Sequence, residues 1–125
     1  MVTKEIILQA IQESDFILTP THNKLCLPII DRIYKKMKIG IKFDDIKVCD
    51  SVLIDGHHRY LGSVVAKMKL DEAKSLKSCA TTEFDWTAVE FVNEDWDTEE
   101  KIQQLIEEDA FNNNISMEKI TACIT

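Results

Sequence analysis

A chain of 125 residues with 45% hydrophobic composition is long enough to form one compact domain with its own core, without staples. Its 22 acidic and 15 basic residues give a formal charge of −7, which sets the surface as a whole against nucleic-acid phosphates. Nonspecific nucleic-acid binding is therefore disfavoured, whereas a small phosphorylated ligand, which needs only a few local donors, is not.

In chain order, Thr3 is placed to cap a first helix in which Ile6, Ile7, Ala10 and Ile11 recur at helical spacing, ending near Ser14. The same segment carries Lys4, Glu5, Glu13 and Asp15, so no signal peptide or membrane span is readable and a cytoplasmic location is expected. Phe16-Ile17-Leu18 reads as a short strand, and Thr19-Pro20-Thr21-His22-Asn23 as a stop to regular structure. A second helix is expected to start between Lys24 and Pro28, bury Ile29, Ile30, Ile33, Tyr34 and Met37, and end at Gly40. Lys35, Lys36 and Lys38 suit the negative end of its dipole.

Ile46-Lys47-Val48-Cys49 and Val52-Leu53-Ile54 read as a hairpin turning at Asp50-Ser51. Asp55-Gly56 follows, and then a helix over residues 57–69 with Leu61, Val64, Val65 and Met68 on one face. Farther on, residues 86–92 alternate as a strand expected to join the hairpin sheet. Asp97 or Thr98 is placed to cap an acidic helix with Ile102, Leu105 and Ile106 inward, and Ser116 to cap a last helix with Met117, Ile120 and Ile124. The pattern predicts a single α/β (α+β) domain, a short mixed sheet flanked by helices. Cys26, Cys49, Cys79 and Cys123 show neither a C-x-x-C pair nor zinc-finger spacing, and are expected to be reduced, mostly buried thiols.

The chemistry concentrates in Asp55-Gly56-His57-His58-Arg59 at the strand-to-helix junction. Glycine lets the backbone turn sharply there, and the free N–H groups of the helix start favour an anion. Arg59 can offer its donor fork to phosphate oxygens and His57 or His58 a further donor, although positive charge opposes the dipole at that end. The bland alternative is an exposed polar turn with one histidine bonded to a carboxylate such as Asp55. A metal site at His57 and His58 is the weaker reading, because adjacent side chains diverge by about a hundred degrees around a helix. Trp86 and Trp96 stand among Glu83, Asp85, Glu94, Asp95 and Asp97, and with Glu99, Glu100, Glu107, Glu108 and Asp109 suggest either packed tryptophans beside a solvated face or a basic protein partner.

A strand followed by Asp-Gly-His-His-Arg-Tyr and an amphipathic helix resembles the ParB/sulfiredoxin superfamily over about residues 16–70. The reactive cysteine of sulfiredoxins falls at the position of His57, which disfavours that chemistry. The glutamate and two arginines of partition proteins are missing from the turn, and 125 residues leave no room for their DNA-binding and dimerisation domains. The wording is most similar to small ParB-like domains that include nucleotide-dependent kinases of small molecules such as free serine. The resemblance implies that Gly56, His57, His58 and Arg59 hold the phosphates of ATP, ADP or CTP with Mg2+ and that Lys24 reaches the same group. Thr21, His22 and Asn23 form a second polar cluster placed to line the pocket, with helix capping the equal alternative for Thr21 and Asn23. Asp55, His57 and His58 are then the candidate catalytic groups, with Asp55 the candidate base toward an unidentified small-molecule or protein acceptor. A non-catalytic protein- or ligand-binding module is the alternative. A nuclease ranks third, against the acidic charge and the lack of a carboxylate metal cluster.

Overall fold

The computed structural model describes residues 1–78 and 80–125. Cys79 lies outside the described residues. Thr3 Oγ1 accepts the Ile6 N–H at 3.2 Å and opens α1, Lys4–Glu13, as its capping chemistry predicts. The expected strand at residues 16–18 does not form, and Thr19 alone makes a bridge, to Val52. Leu18 is instead fixed by aromatic side chains: its N–H donates to the Tyr60 hydroxyl at 2.9 Å, and its carbonyl accepts the Trp86 indole N–H at 2.9 Å.

Lys24 does not begin a helix. Lys24–Cys26 form β1, which pairs in parallel with β5, Glu90–Val92, and α2 then runs over Leu27–Lys38 with its proline in the first turn. The pairing of Leu25 with Phe91 overrides the local helix signal, since three residues with a partner strand satisfy their backbone in the sheet instead. The hairpin forms as expected from β2, Ile46–Cys49, and β3, Val52–Asp55. Asp50 and Ser51 both have positive φ, 47° and 71°, the mark of a type I′ turn whose twist suits the strands. On the other side of β2 lies β4, Glu72–Lys74, in parallel, an element without a readable sequence signal.

α3 spans His57–Ala66 and ends earlier than residue 69, because Lys67 turns left-handed and leaves Met68 outside the helix at 46% exposure. It packs on α2 so closely that a Cβ at Gly62 would meet Ile33 Cγ2 at 2.7 Å. The expected strand over residues 86–92 splits into a 3-10 turn, Trp86–Ala88, capped by Asp85, and β5, which joins β1 and not the hairpin sheet. Thr98 and Ser116 cap α4, Glu99–Asn113, and α5, Met117–Ile124, as predicted.

The result is a small α/β domain with short mixed sheets flanked by helices. Its main core joins Ile7, Leu18, Leu25, Ile30, Leu53, Leu61 and Trp86, and a smaller one joins Ile41 to Ile106 and Ile120 beneath α4 and α5. Cys26 is buried, while Cys49 and Cys123 are only partly covered. No helix among the described residues is long and apolar enough to cross a membrane.

Candidate functional site

The geometry at the junction of β3 and α3 starts with Gly56. Its φ of 92° is left-handed, which costs a residue bearing a Cβ roughly 1–2 kcal/mol. A Cβ would also stand 2.8 Å from Arg59 Nη2 and 2.8 Å from Ile46 Cγ2. No side chain caps α3 and its first turn holds no acidic residue, so the N–H groups of His57, His58 and Arg59 lack an intrahelical acceptor.

The histidines work as acceptors, not as donors to an anion. His57 Nε2 takes the Thr21 N–H at 3.0 Å, and His58 Nε2 takes the Cys26 N–H at 3.0 Å. A neutral imidazole that accepts at Nε2 carries its proton on Nδ1. Burial, with the charges of His22 and His58 adding to it, pushes the His57 pKa down to about 3. Burial also pushes His58 down to about 4, assisted by His22 and Arg59 and opposed by Asp97. Both rings are therefore neutral near pH 7, which leaves Arg59 as the one cation opposing the helix dipole in the first turn and corrects the expectation that the histidines are exposed and cationic there. His57 is only 3% exposed, and its Nδ1–H is buried with no acceptor, a cost of about 1–3 kcal/mol.

Arg59 is also not aimed where the sequence suggested. Its Nη2 donates to the Asp45 carbonyl at 3.2 Å and lies 4.0 Å from the Asp55 carboxylate. It lines a cavity of about 530 Å³ with Ile33, Lys42 and Phe43, on the side of α2 and α4. Asp55 is the last residue of β3, and strand alternation places it on the face opposite Ile54.

His22 and Lys24 line a separate cleft of about 480 Å³ formed by residues 21–24, Ile54, Ser78, residues 80–82 and Phe84. Thr21, Asn23, Ser78, Thr81 and Thr82 bring hydroxyl and amide groups to it, Phe84 adds an apolar wall, and none of the described residues lining it is acidic. The exposed His22 ring stacks on His57 with centroids 4.1 Å apart and planes within 8°. Lys24 is mostly exposed and stands 4.0 Å from the Glu90 carboxylate, a surface pair of small energy. The motif residues thus divide: His22 and Lys24 face this cleft, His57 and His58 fasten the two ends of the segment that carries them, and Arg59 faces the other cavity. Ser78, Thr81, Thr82 and Phe84 were not legible as site residues, because their segment carries no motif and reaches the cleft only through the tertiary fold.

On the far side of His58, Trp96 meets its ring edge-on at 5.5 Å and is 46% exposed. Arg32 grips Asp95 through two nitrogens at 2.6 and 2.8 Å and reaches Asp97 at 3.3 Å, which anchors the Trp96 loop to α2. Among the described residues, no group of three or more His, Cys, Asp or Glu side chains is arranged to hold a metal ion. Comparison with protein-family models, with curated proteins and with solved structures finds no match for this chain. The ParB/sulfiredoxin resemblance accordingly rests on the wording of the turn itself.

Proposed function

We propose that this chain is a ParB-like nucleotide-binding domain that takes the phosphates of ATP, ADP or CTP into the cleft beside the Gly56 turn. The observation that carries the reading is electrostatic: in a chain of charge −7, this cleft is lined by Lys24, hydroxyls and an amide, with no carboxylate among the described residues that line it. Lys24 exchanges its weak contact with Glu90 for a phosphate oxygen, while Asn23, Ser78, Thr81 and Thr82 offer hydrogen bonds to the rest of the nucleotide. His57 and His58 contribute by holding the Thr21 and Cys26 backbone, and with it the segment between them that bears His22 and Lys24. A magnesium ion, if carried, is held by the phosphates and neutralises their charge. Phosphotransfer with Asp55 as base is the finer form of this reading. The placement of Asp55 on the strand face opposite Ile54 favours binding without turnover.

A second reading, a module that docks a basic protein partner, draws on the half-exposed Trp96 between Asp95 and Asp97. Thermal unfolding with ATP, ADP, CTP and GTP, each with magnesium, separates the two. A ligand at a hundred times its dissociation constant adds about 2.7 kcal/mol, or several degrees for a domain this size. The expected result is a rise with at least one nucleotide that is lost in Lys24→Ala and kept in Arg59→Ala. No rise with any nucleotide overturns the proposal and leaves the docking module as the better account.

A further inference from the structure

We propose that His22 is the stacking platform for the base of the nucleotide, with the buried His57 ring as its foundation. This rests on the nucleotide reading above and specifies which end of the ligand lies where. His57 is immobilised from both sides, by its burial in the core and by the Thr21 N–H that its Nε2 accepts at 3.0 Å. The Thr21 hydroxyl donates to the Leu53 carbonyl at 2.8 Å, which fixes to β3 the backbone that carries His22. One face of the His22 ring is thereby held flat against His57, at 4.1 Å and 8°. His22 is exposed, lines the cleft, and has no second aromatic partner among the described residues.

Two parallel rings, the inner one fixed and the outer one open, form a surface on which a third flat heterocycle adds at van der Waals separation. Bases stack on histidine as they do on other aromatic side chains, and every base has a π-face to offer. The cleft volume of about 480 Å³ has room for a base and its sugar. The Ser78, Thr81 and Thr82 hydroxyls and the Asn23 amide line the same space and match the polar edges of a base or the hydroxyls of a ribose. Phe84 and Ile54 close it with apolar surface, which a heterocycle tolerates and an inorganic phosphate does not need. Lys24, two residues beyond the platform, is left for the phosphates.

The test compares ATP, CTP and GTP with inorganic triphosphate, by isothermal titration of the wild-type chain, His22→Ala and His22→Phe. Loss of a stacking side chain costs a base roughly tenfold or more in affinity. The expected result is that wild type binds a nucleotide more tightly than triphosphate. His22→Ala then loses about tenfold for that nucleotide while keeping its triphosphate affinity, and His22→Phe restores nucleotide binding. Unchanged nucleotide affinity in His22→Ala, or an equal loss for nucleotide and triphosphate, overturns the platform while leaving the phosphate site in place. A wild-type chain that binds triphosphate as tightly as every nucleotide does the same. A wild-type chain that binds none of the four overturns the nucleotide reading, and the platform with it.

Discussion

His57 and His58 are adjacent residues that each take one backbone N–H, from Thr21 just before β1 and from Cys26 at its end. Protonating either ring abolishes its acceptor and leaves a buried N–H facing a buried charge. Their pKa values, about 3 and about 4 in the folded chain, lie below the 6.5 of free histidine, so between these limits the unfolded chain binds more protons than the folded one. Stability is then fully present above about pH 6.5 and falls as pH drops toward 4, with a slope set by that proton difference. Urea unfolding from pH 7.5 to 4.5 is expected to show a steady loss, and a combined His57→Gln, His58→Gln variant is expected to flatten it. A profile as steep in that variant as in wild type would assign the loss to other groups. Gly56→Ala is expected to lose roughly 2 kcal/mol in the same assay, from its left-handed φ of 92° and from the 2.8 Å approach of Arg59 and Ile46.

At the level of elements, helix ends follow local chemistry closely enough to be tuned by it. Lys67 ends α3 in the left-handed region at φ 57°, where its Cβ is a burden that glycine lacks. Lys67→Gly is therefore expected to stabilise the chain by about 0.5–1 kcal/mol, read as a higher urea midpoint at unchanged slope. The same locality explains what the sequence made readable. Thr3, Thr98 and Ser116 announce their helices because each cap is made within three residues, and Asp50-Ser51 announces the hairpin because its turn is two residues long. β1, β4 and the split of residues 86–92 stayed hidden, since three-residue strands have too little periodicity and exist through partners far along the chain. The site divided in the same way. The strand-to-helix turn at Gly56 was legible, whereas the neutrality of the histidines and the turning away of Arg59 depend on Thr21, Cys26 and Asp45, which only the fold brings near.

At the scale of the molecule, α2 gives Leu27 and Ile30 to the main core, its C-cap Ile39 packs against the smaller one, and the helix carries buried charge between them. Lys36 is 5% exposed and bonds Asp109 of α4 at 2.8 Å, which ties the smaller core to the larger. Removing one partner of such a pair strands the other, so Asp109→Ala is expected to cost about 3–5 kcal/mol. Adding Lys36→Met to that variant is expected to recover much of the loss, because a buried apolar side chain strands no charge; urea midpoints of the three proteins read this directly. The ties that cross from residues 1–77 to residues 78–125 include the β1–β5 pairing, the Trp86 bond to Leu18, the Arg32 grip on Asp95, and Lys36 with Asp109. None of them needs the peptide bond after the exposed Lys77. Two genes, each encoding one side of that bond, should yield polypeptides that find each other and elute as one complex, so that this single chain is, in its contacts, already a heterodimer joined by a strap.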